Sequence, residues 1–299
     1  MAKPRKDTRS DVIDSAAMKR HGQWKDVFRR LWKNKLAMVG LAIVVVLVIS
    51  AVFADVLAPY DPYALNMSER FAPLSLKHLL GTDNYGRDIF SRVLYGGRTS
   101  LLVSLVSLVI STVLGVIIGI TAGYFGGTYD FVVMRIMDII MAIPSTFLAI
   151  AIMAALGAGT FNTALAIAIS GIPMVCRVIR GSVLSLRDQE YVEAATATGS
   201  GSVRIMFKHI LPNTLAPILV ECTLRIGGNI LAISGLSFIG LGISEPTAEW
   251  GAMLAFGRQF IRDYWPLVTF PGVAIMLTLF GFNVFGDGLR DALDPRLKQ

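Results

Sequence analysis

From Thr99 to Tyr129 the chain runs without a charged residue. Leu101 to Ala122 within that run is long enough to cross a hydrocarbon core of roughly 30 Å, for which about 20 mostly apolar residues suffice. In such a core every backbone polar group must be satisfied inside the segment, so a run of this kind is a helix. The same reading gives a first span at Leu36–Ala54, a third at Phe131–Leu156 carrying Arg135 and Asp138, and a fourth at Phe161–Val178, ended by Arg177 and Arg180. A fifth lies within Asn213–Gly242, interrupted by Glu221 and Arg225, and an uncharged sixth at Tyr264–Gly286. Turns fall at Gly123–Gly127 and Gly157–Gly159. Composition agrees: 54% of the residues are hydrophobic and 16% charged, against about a quarter charged in soluble chains. A soluble enzyme and a disordered regulator are excluded, and the expected fold class is an all-α polytopic membrane protein with six spans.

The net charge of +7 orients the chain in the bilayer; it does not mark a nucleic-acid binder. Eleven Lys and Arg residues lie between Lys3 and Lys35. Segments on the same side add Arg180, Arg187, Arg204, Lys208, Arg290, Arg296 and Lys298, whereas the opposite side holds Arg70, Lys77, Arg87, Arg92, Arg98, Arg258 and Arg262. Both termini are therefore expected in the cytoplasm. The first span, with its long polar lead, reads as a retained anchor and not as a cleaved signal. Residues before His21 are polar and read as disordered, while Trp24, Val27, Phe28, Leu31 and Trp32 form an apolar stripe suited to a helix in the headgroup plane. The expected organisation is a basic segment with that helix (1–34), the first span and an outer loop (35–98), a five-span core (99–288) and a short tail (289–299). The run Ile89, Phe90, Val93, Leu94 in the outer loop reads as amphipathic, lying on the outer membrane face beside a second outer loop at Ser244–Asp263.

The longest segment on the basic side inside the bundle is Arg180–Pro212 (180–212). Glu193, Ala194, Ala195, Ala197 and Thr198 suit a short helix stopped by Gly199 and Gly201, and Val203–Ile210 suits a second, amphipathic one. Pro212 breaks the chain before the fifth span. The result is a stiff helix–turn–helix whose small alanines permit close approach by another surface.

The sequence from Glu193-Ala194-Ala195 through Gly199 to Leu211-Pro212 resembles the coupling loop of ABC-importer permeases, with His209 where the family usually has an apolar residue. Three further blocks resemble dipeptide and oligopeptide permeases: Leu80-Gly81-Thr82-Asp83 through Arg98-Thr99-Ser100-Leu101, Leu236–Gly242 with Trp250-Gly251, and Phe270-Pro271-Gly272 with Phe285–Pro295. The whole is similar to the C-type permease of a di/oligopeptide ABC importer, a type I importer fold. Glu245-Pro246 stands where the family often has Pro-Pro, and the glutamate often found near Ile233 is absent, Glu221 lying about three turns earlier.

The resemblance implies a permease that forms half of a translocation pathway for dipeptides or oligopeptides in a bacterial cell (inner) membrane. Its implied partners are a homologous B-type permease, two cytoplasmic ATPase subunits and an extracytoplasmic solute-binding protein, with both outer loops contributing to receptor docking. Nickel, glutathione or another small solute replaces peptide in some members. The ATPases would act on Glu190, Glu193, Ala194, Ala195, Gly199, Ile210, Leu211 and Pro212. No Gly-x4-Gly-Lys-Ser/Thr loop is present, and Gly199-Ser200-Gly201-Ser202 lacks the lysine that would surround phosphates. The chain is expected to be non-catalytic and to bind no cofactor, ATP and magnesium being used by the partner subunits. An ion-coupled secondary transporter and a non-transporting scaffold are the rival classes.

Glu221 and Arg225 are four apart and Arg135 and Asp138 three apart, so each pair shares a helix face. Ionisable residues in spans usually face a cavity or the bundle interior, which makes the four candidate pathway-lining residues. A neutralised pair that sets helix register is the alternative, and for Arg135 and Asp138 it is preferred. Gly115 and Gly119 read as close-packing positions, as do Gly227 and Gly228. Pro144, Pro173 and Pro217 read as kinks. Cys176, Cys222 and the scattered His21, His78 and His209 suggest neither a disulfide nor a metal site.

Overall fold

A computed structural model describes residues 27–293. The basic leader, Trp24 of the apolar stripe and the tail beyond Leu293 lie outside the described residues. Residues 27–33 are helical. Val27 and Leu31 of the stripe pack with Ala37, Phe285 and Ala292, while Phe28 and Trp32 face outward with their rings 5.8 Å apart.

Helix α1 spans Lys35–Val52, opened by Asn34, whose side chain accepts the Ala37 N–H at 3.1 Å. A helical turn at Ala54–Leu57 and an irregular segment up to residue 88, with one 3₁₀ turn at Met67–Glu69, follow. Helix α2 runs Ile89–Phe125 and contains the whole of the expected span Leu101–Ala122, beginning twelve residues before it. Asp88 caps it by accepting the Ser91 N–H at 2.8 Å, and Ile89, Arg92 and Leu94 are buried. The amphipathic run is thus the first turns of α2, with Ile89 and Leu94 packed inside the protein and not laid along a surface.

Helices α3 (Gly127–Ala142) and α4 (Ser145–Leu156) replace the continuous third span, bent by 87° at Ile143-Pro144. A residue before proline is pushed out of the α region, and Ile143 is extended at ψ 123°. Helix α5 follows at Thr160–Leu186, α6 at Glu190–Ala197, α7 at Leu215–Phe238, α8 at Trp250–Gly257 and α9 at Pro266–Leu293. Five of these, α1, α2, α5, α7 and α9, are each long and apolar enough to cross a membrane.

The sixth crossing follows from packing. Gly115, Gly119 and Gly123 of α2 lie in that order against Val175, Cys176 and Val183 of α5. The two helices thus run parallel, and the α3–α4 pair between them returns the chain to the opposite end. Helix α9 is antiparallel to α1, with Gly281 beside Gly40 and Gly288 beside Ala37, and to α7, with Gly286 on Leu224 and Leu279 on Gly227. The start of α1, the ends of α2, α5 and α9, and the start of α7 consequently share one end of the bundle. Residues 180–212 close that end. The segments 53–88 and 239–265 close the other.

Candidate functional site

At the end shared by the helix termini, residues 187–214 form an elbow. Helix α6 turns Val192 and Ala195 inward, where they join Ile120, Ile179, Val183, Ile205, Met206 and Ile210 in one apolar cluster. The same helix leaves Glu190, Glu193 and Ala194 exposed. Gly199 ends it at φ +79°, a left-handed backbone that costs other residues roughly 1–2 kcal/mol. The second arm differs from the expected α-helix: a short turn at Ser202–Arg204 widens into a π-helical stretch over Ile205–Ile210, where the Leu211 N–H donates to Met206 O. A 3₁₀ turn at Leu211–Asn213 follows. Pro212 has no N–H to continue an α ladder, and the Asn213 side chain donates to His209 O at 2.6 Å and to the Tyr191 hydroxyl at 3.3 Å, joining the two arms. Of the eight sequence-predicted elbow residues, Ala195 and Ile210 root it in the bundle, Leu211 and Pro212 are half-buried at its exit, and Glu190, Glu193, Ala194 and Gly199 form its outer surface.

Two arginines fasten the elbow's stem. Arg180 pairs with Asp130 through two N–H···O contacts, and Arg187 donates to Gly123 O at 3.3 Å. Neither link follows from local spacing, since the partners are 50 and 64 residues apart.

The candidate pathway charges divide. Glu221 and Arg225 do meet, at 3.5 Å, both largely covered. Arg225 also lines a half-open cavity of about 350 Å³ between α4, α5 and α7, with Ser145, Thr146, Ser170, Asn229 and apolar neighbours. Arg135 and Asp138 do not pair with each other. Asp138 accepts from Arg177 of α5 at 2.7 Å, and the Arg135 guanidinium lies over the Phe131 ring at 5.4 Å. A tertiary partner and an aromatic face outcompete the weak three-residue spacing, and neither residue lines the cavity.

At the opposite end two ionic sites hold the segments 53–88 and 239–265 to the bundle. Arg87 binds Asp83, and Glu245 bridges Arg87 at 2.8 Å and Arg92 at 2.7 Å. Burial opposes the charge on Arg87, but Asp83 and Glu245 outweigh it and hold the guanidinium above its ordinary pKa. His78 lies between Asp88 at 2.9 Å and Glu69 at 3.2 Å. Glu249, fully buried, accepts from Ser100 Oγ at 3.0 Å and from the Ala252 N–H at 2.8 Å, capping α8. The sequence reading passed over Glu249. Its signal was an acid directly before the apolar run Trp250–Phe256, a helix-start pattern.

A six-crossing helical bundle with a rooted elbow and an arginine-lined cleft between its helices is the architecture of a polytopic membrane permease. Comparison makes this specific. Residues 115–299 match the family of binding-protein-dependent transport system inner membrane components, and residues 22–73 match the N-terminal transmembrane domain of oligopeptide transport permease C. The chain is 47% identical to the dipeptide transport system permease protein DppC of Alkalihalophilus pseudofirmus, over 92% of this chain and 90% of that one. It is 46% identical to the dipeptide transport system permease protein DppC of Escherichia coli, over 89% and 91% of the two chains. It is also 46% identical to the probable D,D-dipeptide transport system permease protein DdpC of the same organism, over 88% of each. The chain belongs to the binding-protein-dependent transport system inner membrane component family.

Proposed function

We propose that this chain is one of two permease subunits of an ATP-driven importer of dipeptides or oligopeptides in a bacterial inner membrane. It pairs with a homologous B-type permease, each supplying half of the pathway, and receives peptide from an extracytoplasmic solute-binding protein. Two cytoplasmic ATPase subunits, which use ATP and magnesium, dock on the elbow. The observation that carries this reading is the elbow itself: Glu190, Glu193 and Ala194 are exposed on α6, while Val192 and Ala195 of the same helix are sunk in the bundle core. A push on the outer face is thus delivered to α2 and α5 through a packed, poorly compressible cluster. Alternating access follows when the ATPase pair closes and the two elbows move together. The cavity between α4, α5 and α7 lies on the pathway, with Arg225 in its lining and Glu221 behind it.

The test is copurification of the ATPase subunits with the permease pair, together with ATP-driven uptake of a labelled dipeptide into vesicles. Glu193→Ala and Gly199→Asp are expected to weaken ATPase association or uncouple hydrolysis from uptake while the permease pair still assembles. Undiminished association and uptake in both variants overturns the coupling assignment. Labelling of a cysteine placed at Thr198 by an impermeant reagent only from the cytoplasmic side checks the orientation.

A further inference from the structure

We infer that Arg225 is the anchor for the free C-terminal carboxylate of a peptide in transit, an inference that rests on the peptide-import reading above. Arg225 lies near the middle of α7 and lines the 350 Å³ cavity. An ionised side chain there is retained against a large desolvation cost and marks a pathway or a ligand. A guanidinium offers five N–H donors. Among the described residues this one uses Nη1 on Glu221 Oε1 at 3.5 Å, and its Nε is buried with no partner.

The wall opposite is cut to fit. A side-chain carbon at Gly171 of α5 would come within 2.0 Å of Arg225 Nη2 and 3.0 Å of its Cζ, so the absence of a side chain there gives the tip of the guanidinium its room against α5. Ser145, Ser170 and Asn229 supply polar atoms around it, and Ala149 and Ile167 supply apolar surface. That mixture suits the amide and side chains of a short peptide. The planar fork of a guanidinium matches a carboxylate bidentately. Glu221 already offsets part of its charge, so the site takes a monoanion better than a phosphate. The contact with Glu221 is long and single, so an incoming carboxylate displaces little.

The experiment uses the complete permease–ATPase complex in lipid nanodiscs, without the solute-binding protein, and radiolabelled dialanine as the probe. Wild type is expected to bind dialanine reversibly, with displacement by unlabelled dialanine and not by its C-terminal amide. Arg225→Gln is expected to lose roughly tenfold or more in affinity, as the loss of one charge-assisted pair implies, and Arg225→Lys to lose less. Equal competition by the amide, undiminished binding by Arg225→Gln, or no binding by wild type overturns the inference. Should Arg225→Gln fail to assemble, Gly171→Ala is read instead: it crowds the guanidinium and keeps the charge, and undiminished binding overturns the proposal equally. Dialanine uptake by the wild-type assembly with its binding protein is measured in parallel. Uptake alongside an overturning result removes the carboxylate site alone, whereas absence of uptake of this and longer peptides removes the peptide reading itself.

Discussion

Gly119 rests on the backbone of Cys176: a side-chain carbon at Gly119 would stand 2.6 Å from the Cys176 carbonyl oxygen. With Gly115 and Gly123 on the same face, it lets α2 and α5 approach as closely as their backbones permit, and the elbow is seated on the end of that pair. Gly119→Val must therefore part the two helices. Overpacking of this kind costs about 1–3 kcal/mol, read as a lowered melting temperature of the purified permease. Gly181, also on α5, has nothing within 4 Å of its added carbon. Gly181→Ala is expected to be neutral or to stabilise by about 0.5–1 kcal/mol through helix propensity. Equal effects of the two substitutions would refute the close-packing account.

Glu249 caps α8 from inside the protein, taking hydrogen bonds from the Ser100 and Ser234 hydroxyls and from the Ala252 N–H. Glu249→Ala leaves these three donors without their acceptor in a dry site and removes the cap, a loss of about 1–3 kcal/mol. Glu249→Gln keeps an acceptor oxygen and is expected to lose less. Thermal unfolding of both variants decides, and a milder effect for alanine than for glutamine contradicts the capping role.

The spans were legible because apolarity and length are local quantities, and the bilayer demands both of each segment. The elbow was legible for a related reason: Glu193-Ala194-Ala195 and Gly199 state a helix and its stop within a few residues. What could not be read depends on distant partners. Pro144 marked a break, but the 87° bend also reflects the seating of Ala149 and Met153 against Ala164 and Ile167 of α5. Spacing joined Arg135 to Asp138, whereas the fold gives Asp138 to Arg177. Spacing likewise joined Arg225 to Glu221, correctly, yet the cavity wall and the clearance at Gly171 come from other helices. The departure at Glu245 gained a physical role only once Arg87 and Arg92 were brought to it from more than 150 residues away.

Glu245 is the counter-charge shared by two covered guanidiniums, so Glu245→Gln leaves Arg92 without a carboxylate and Arg87 with Asp83 alone. Breaking a buried ion pair from one side costs about 3–5 kcal/mol. Because one edge of Glu245 remains open, the expected loss is lower, about 2–3 kcal/mol. It should fall on the joint between residues 59–88 and 244–257, detected as faster proteolysis of the outer segment while the elbow stays protected. Unchanged cleavage of the outer segment would mean that the bridge does not hold it.

The last prediction concerns acid. Glu69, in the outer segment, is held below the ordinary carboxylate range by the hydrogen bond from Lys77 and then by that from His78. A carboxylate whose folded pKa is depressed contributes stability above its ordinary value and loses it as pH falls through the folded value. The window therefore opens at the ordinary 4.5 and extends downward. The amides of Ser75, Gly81 and Thr82, which donate to His78 O and Ala72 O, report on this segment. Their protection, corrected for the intrinsic exchange rate, should be flat from neutral pH to about pH 5 and fall below that. Asp88 meets the other nitrogen of the His78 ring, Nδ1, so the wild-type profile alone does not isolate Glu69. Comparison with Glu69→Gln does: this variant should begin with weaker protection at neutral pH and lose less of it in acid. Profiles of equal steepness in the two proteins would assign the acid response to Asp88 or another carboxylate and not to Glu69.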